Sequence, residues 1–152
     1  WWELDLDEDD HSEVVRSIEL ADMTALKDKS VNTLSGGQRQ RAFLSLALAQ
    51  DTKTLLLDEP TTFLDLRYQL QFLDLLKKIN KEQEISVITV IHDLNLAARY
   101  CDRIAVLKEG ELLAIDSPRK LLNYELMKEA FQVETCQIET PVGLQICTIK
   151  SD

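Results

Sequence analysis

Leu55-Leu56-Leu57-Asp58-Glu59-Pro60 is a short apolar run that ends in two adjacent acids and is closed by a proline. With Lys53 and Thr54 before it, the run reads as a β-strand buried on both faces, because a strand inside a parallel sheet is apolar on every side chain rather than on alternate ones. From Leu66 to Asn80 the apolar positions Leu66, Leu70 and Leu73, with Phe72, Leu76 and Ile79, recur at helical spacing. Ile85 to Ile91 is a second β-branched run. Strand, helix, strand is the pattern of a parallel sheet, so the fold class is α/β.

Outward from this unit, Asp93 to Tyr100 reads as a short helix. Ile104 to Leu107 and Glu111 to Ile115 read as a hairpin with Gly110 in its turn. Ser117-Pro118 starts a helix that runs to about Phe131. Val133 to Ile138 and Leu144 to Ile149 then form a terminal hairpin around Thr140-Pro141-Val142-Gly143. Upstream, the acidic stretch Asp5, Asp7, Glu8, Asp9, Asp10 precedes a helical stripe of Val14, Val15, Ile18, Ala21 and Ala25, with Ser12 placed to begin the helix. Ser35-Gly36-Gly37 breaks that pattern, and Gln38 to Gln50 resumes as a helix. There is no internal repeat and no linker.

At 152 residues the chain suits one domain or part of one. No apolar run reaches the roughly 18–20 residues of a membrane-spanning helix, so a membrane role would be peripheral. A net charge of -10 argues against broad contact with nucleic acid or anionic lipid, which attract basic proteins. The three cysteines Cys101, Cys136 and Cys147 form no CxxC pair, which argues against a disulfide framework or zinc site and for buried small apolar residues. Cys136 and Cys147 nonetheless stand where they would face each other across the terminal hairpin.

Three places carry chemistry. Leu34-Ser35-Gly36-Gly37-Gln38 lies where a loop becomes a helix. There free N–H groups, two glycines and the helix dipole suit a phosphate, although Ser35 can equally serve only as a helix cap. Asp58 and Glu59 stand at the carboxyl end of a strand, the edge at which open α/β sheets bind ligands. One acid can hold Mg²⁺ while its neighbour orients or deprotonates a water. His92, at the end of the Ile85–Ile91 run, can touch phosphate and change protonation near neutral pH. His11, in the acidic run, is given no role.

In order and spacing these residues resemble the ATP-binding-cassette (ABC) ATPase family along essentially the whole chain. Leu34 to Gln38 is similar to its signature sequence, Leu55 to Glu59 to its Walker B strand, Thr61 to Asp65 to its D-loop, and His92 to its switch histidine. The resemblance implies a P-loop NTPase-type ABC nucleotide-binding domain. Residues 1–50 would supply the helical-subdomain portion with the signature, and residues 51–152 the Walker B, D-loop, H-loop and C-terminal elements. It also implies a homodimer that sandwiches ATP head to tail. Ser35, Gly36 and Gly37 would contact the γ-phosphate in trans with Gln38 beside them, and Asp58 would support Mg²⁺. Glu59 would act on the attacking water, His92 would hold the γ-phosphate, and Asp65 would link the two sites. His92-Asp93-Leu94-Asn95-Leu96-Ala97-Ala98-Arg99-Tyr100-Cys101-Asp102 and Pro60 to Leu66 are similar to importer ATPases serving iron–siderophore, haem and cobalamin uptake. Of these, iron–siderophore uptake is favoured. Such a subunit sits on the cytoplasmic side of the membrane under permease subunits, with an extracytoplasmic binding protein delivering cargo and no nucleic acid bound.

Two family elements do not occur in the sequence. None of Gly36, Gly37, Gly110 and Gly143 is followed by lysine, so there is no GxxxxGK[ST] P-loop, and no glutamine precedes Gln38 to serve as the Q-loop residue. The chain therefore reads as the distal part of a longer subunit, inactive on its own and with a sheet edge open to self-association. The alternative from another class is an ABC-type ATPase of DNA repair or chromosome organisation. Its long coiled coil or nucleic-acid surface has no counterpart in this acidic chain of ordinary helix lengths.

Overall fold

A computed structural model describes residues 8–151, so Trp1, Trp2, Asp5 and Asp7 lie outside the described residues. The chain divides into two units between Val90 and Ile91. The first contains α1 (Glu8–Leu20), 3₁₀ turns at Thr24–Leu26 and Val31–Thr33, α2 (Gly36–Leu48), β1 (Thr54–Leu57), α3 (Leu66–Gln83) and β2 (Ser86–Thr89). Helix α1 starts before Ser12, whose hydroxyl donates to the Asp9 carbonyl at 2.9 Å from inside the helix rather than capping it. The helix stops at Leu20, and Asp22 takes a left-handed φ of 55°. The expected stripe is thereby cut short of Ala25. Val14 and Val15 are exposed, while the buried line runs through Ser17, whose hydroxyl lies 3.2 Å from that of Ser45 in α2. Ala21, Met23 and Leu34 form a small core with Ile18, Leu26 and Ala42.

Helix α3 is the main apolar surface of this unit, burying Phe72, Leu73, Leu75, Leu76 and Ile79 as it packs on β2 and α2. Each such side chain contributes roughly 1.5–3 kcal/mol of transfer free energy. Glu84, left-handed at φ 54°, ends the helix, and the Asn80 amide donates to the Ile85 carbonyl at 2.7 Å as the chain turns into β2. Strands β1 and β2 are parallel, with Leu55 opposite Val87 and Leu56 opposite Ile88. The expected burial on both faces does not hold. Leu55 is 3% exposed, but Leu56 is 74% and Ile88 60% exposed. Among the described residues this sheet has two strands and only one covered face.

The second unit contains α4 (Leu94–Tyr100), β3 (Ile104–Lys108), β4 (Glu111–Asp116), α5 (Pro118–Leu121), α6 (Tyr124–Phe131), β5 (Val133–Thr140) and β6 (Gly143–Ser151). Both hairpins fall where the sequence placed them. Glu109 and Gly110 are both left-handed, at φ 52° and 84°, as a two-residue turn with the right twist requires. The single helix expected after Pro118 is instead two, because Asn123 ends one and starts the other. Its amide donates to the Lys120 carbonyl at 2.8 Å, and its side-chain oxygen accepts from the Leu126 N–H at 2.9 Å. Leu122, Met127, Leu144 and Ile146 form the core, joined by Leu94, Ala98, Ile104, Leu126 and Val133. The expectation of buried cysteines fails here. Cys136 and Cys147 are exposed on the outer face of the terminal hairpin, and Cys101 is half-buried.

Candidate functional site

Helix α2 begins at Gly36, two residues before the expected start, because Ser35 and Gln38 form a capping box. The Ser35 hydroxyl accepts from the Gln38 N–H at 3.4 Å, and the Gln38 side chain accepts from the Ser35 N–H at 3.0 Å. Ser35 thus does cap the helix, and Gln38 is held back against the loop. The first turn contains no acid, so the helix dipole at this end is not offset by a carboxylate. The two glycines differ in what surrounds them. A Cβ on Gly36 would meet only Leu64 Cδ2, at 3.9 Å, whereas a Cβ on Gly37 would lie 3.3 Å from Cδ1 and 3.4 Å from Cγ of the Tyr68 ring. Gly37 is therefore small because α3 approaches it, while Gly36 leaves its side open.

Asp58 and Glu59 follow the last residue of β1, and both are exposed. Glu59 takes a left-handed φ of 44°, a conformation that costs a non-glycine residue about 1 kcal/mol or more and recurs at functional sites. A turn holds it there. The Thr62 N–H donates to the Glu59 carbonyl at 3.3 Å, and the Thr62 hydroxyl donates to Glu59 Oε2 at 2.8 Å. The Gln69 side-chain amide donates to the carbonyls of Thr61 at 3.2 Å and Leu64 at 3.0 Å. Asp65 caps α3 by accepting from the Tyr68 N–H at 3.1 Å. The segment from Thr61 to Asp65 is thus tied to α3 through Gln69 and Tyr68, and Tyr68 in turn packs against Gly37. A cleft of about 310 Å³ is lined by Gly36, Arg39, Gln40, Glu59, Pro60, Phe63 and Leu64, so Gly36 and Glu59 share one cleft of the first unit.

His92 belongs to the second unit and is exposed. The next residue, Asp93, caps α4 by accepting from the N–H groups of Asn95 at 2.8 Å and Leu96 at 3.0 Å. Asn95 fixes that helix end to the terminal hairpin. Its Oδ1 accepts from the Ile146 N–H at 2.6 Å, and its Nδ2 donates to the Ile146 carbonyl at 3.3 Å. Reasoning from sequence missed Thr62, Gln69 and Asn95. Thr62 carried a local signal, three residues after Glu59 and hence within turn reach. Asn95 carried none, because its partner lies 51 residues away.

Residues 5–62 match the profile of the ABC transporter family. The chain is 40% identical over 148 residues to the petrobactin import ATP-binding protein FpuD of Bacillus anthracis, covering 96% of this chain and 54% of that protein. It is also 40% identical over 135 residues to the ferric enterobactin transport ATP-binding protein FepC of Escherichia coli K12, covering 89% and 50%. Over the matched residues this chain is similar to the ABC transporter family. Its fold agrees with that of an inward-facing ABC transporter described as metal-chelate type, at a TM-score of 0.82 and 25% identity over 94% of this chain and 57% of that one. The chain spans about half the length of the curated relatives it matches. Its architecture is accordingly that of an ABC ATPase domain over the matched portion. The profile match takes in the capped Ser35–Gln38 turn and the Asp58–Glu59 pair.

Proposed function

We propose that this chain is part of the ATP-hydrolysing subunit of an ABC importer, and that the importer takes up iron–siderophore complexes. The observation that carries the ATPase reading is the setting of Glu59. It is an exposed carboxylate at the carboxyl end of β1, held in a left-handed conformation and hydrogen-bonded by Thr62. The cargo class rests on relatives named for petrobactin and ferric enterobactin. No observation favours the nucleic-acid reading.

In this proposal Glu59 accepts a proton from the attacking water while the Thr62 hydroxyl fixes the orientation of the carboxylate. The capping box takes the N–H groups of Ser35 and Gln38, and the N-terminus of α2 offers those of Gly36 and Gly37 to a γ-phosphate held by a second copy. The residues fit that task, since the side of Gly36 is unobstructed and no acid in the first turn repels an anion. Asp58 offers one carboxylate toward Mg²⁺, which when bound offsets charge developing on the phosphates. Among the described residues no group of three or more His, Cys, Asp or Glu side chains forms a protein-only metal cage. That accords with a cation held mainly by phosphates and water. His92 donates to the γ-phosphate, and Asp65 stands where the two copies face each other. Two such subunits pair under permease subunits on the cytoplasmic side of the membrane. An extracytoplasmic binding protein delivers the cargo. Among the described residues, no helix is long and apolar enough to cross a membrane.

The test compares two proteins. The 152-residue chain has no GxxxxGK[ST] motif, so calorimetric titration with Mg-ATP is expected to show no saturable binding near 10 μM, about 7 kcal/mol. A subunit that unites this chain with a P-loop segment is expected to hydrolyse ATP. Tight binding by the chain alone, or no hydrolysis by the united subunit, would overturn the proposal.

A further inference from the structure

Cys136 in β5 and Cys147 in β6 are direct register partners of the terminal hairpin, and both are exposed. Residues directly opposite each other in an antiparallel pair share one face, with Cα atoms about 4.5–5.5 Å apart. That spacing falls within the roughly 4.4–6.8 Å found between disulfide-linked residues. The register is not free to slip. Thr135, Leu144 and Ile146 are buried on the other face of the same two strands, and a shift of one residue would turn them to solvent. The Asn95 side chain fixes Ile146 from outside the hairpin with two hydrogen bonds. The two thiols are therefore neighbours by construction of the fold, on a face that small molecules reach.

We propose that Cys136 and Cys147 form a dithiol site that low-molecular-weight disulfides close to an intramolecular disulfide and that thiols reopen. One of the two thiolates attacks a sulfur of the small disulfide, giving a mixed disulfide and releasing one small thiolate. The second cysteine thiolate attacks the protein sulfur of that mixed disulfide, forming the Cys136–Cys147 bond and releasing the second small thiolate. The dithiol loses two electrons, the small disulfide gains them, and the two cysteine protons end on the two small thiols. The second step is intramolecular, and the paired strands have already met the cost of bringing the sulfurs together. The bridge consequently outcompetes a second adduct. Cys101, at the C-terminal end of α4, lies outside the hairpin. Exposed bridges of this kind are readily reduced, so the site is reversible.

The test treats the full 152-residue chain with oxidised glutathione, alkylates the remaining thiols and maps the peptides by mass spectrometry. Cleavage after Glu139, which lies between the two cysteines, leaves two peptides that only the bridge holds together. The expected result is these two peptides joined, a chain lighter by two hydrogens, Cys101 alkylated, and full reversal by dithiothreitol. With Cys136→Ser, Cys147 is expected to persist as a glutathione adduct with no internal link, and Cys147→Ser should give the mirror result. Stable glutathione adducts on both cysteines of the unaltered chain would overturn the proposal. So would a link to Cys101, or links between chains in place of the internal one.

Discussion

Replacing Gly37 by alanine separates the two reasons for a glycine pair at the start of α2. The new methyl would stand 3.3 Å, 3.4 Å and 3.5 Å from Cδ1, Cγ and Cβ of Tyr68, inside or at the edge of the roughly 3.5–4.0 Å at which carbon atoms attract best. Overpacking of this kind costs about 1–3 kcal/mol. The lower end applies, because the misfit is a few tenths of an ångström and Tyr68 is 42% exposed and can give way. Against this, exchanging glycine for alanine in a helix gains about 0.5–1 kcal/mol. Gly37→Ala is therefore expected to be neutral to about 0.5 kcal/mol destabilising. Gly36→Ala, which meets only Leu64 Cδ2 at 3.9 Å, should be neutral or slightly stabilising. Urea unfolding followed by circular dichroism measures both, and adding Tyr68→Ala completes a double-mutant cycle with Gly37→Ala. The coupling should favour the double variant by about 1 kcal/mol. Equal stability of the two alanine variants, with no coupling to Tyr68, would refute the view that α3 dictates the glycine at position 37.

Other outcomes are expected on the same footing. In a subunit that carries a P-loop, Ser35→Arg should abolish ATP-driven pairing of two copies while monomeric nucleotide binding persists, as measured by sedimentation and calorimetry. Ser35→Ala, which loses the cap at a cost of about 1 kcal/mol, should still pair. In the second unit, the Lys128 ammonium donates to Glu134 at 3.1 Å. That hydrogen bond holds the Glu134 carboxyl below its ordinary 4.5. The same bond, with a further one to the Tyr124 hydroxyl, holds Lys128 above its ordinary 10.5. A lowered carboxyl stabilises above its unfolded value and loses that contribution as pH falls through its folded value. A raised ammonium stabilises below its unfolded value and loses it as pH rises through its folded value. Glu134→Gln should therefore lower the melting temperature at neutral pH and converge with the unaltered chain in acid. An unchanged difference at low pH would count against the pair.

The elements most legible in the sequence were those specified by their own residues. The Leu55–Leu57 strand, the amphipathic α3 and both hairpin turns follow from local period and turn chemistry. The Asp58–Glu59 pair announced itself by standing at a strand end. What was not legible depended on distant partners or on cover. Leu56 and Ile88 are as apolar as Leu55, yet they face outward because α3 covers one side of the sheet only. The break between α5 and α6 turned on a single Asn123, whose two hydrogen bonds an unbroken helical reading does not require. Cysteine burial was misjudged because residue type favours the interior on average, while hairpin register set the face. The clamp from Asn95 to Ile146 could be found only by folding the chain.

The proposed chemistry meets at Glu59, and Glu59→Gln tests it most directly. The amide keeps the shape and can still face Thr62, but it cannot take a proton from water. Steady-state ATP hydrolysis by the P-loop-bearing subunit should fall by about 10²–10⁴, with Mg-ATP affinity unchanged in a parallel titration. Hydrolysis within a few-fold of the unaltered subunit would contradict the assignment of Glu59 as the residue that activates water.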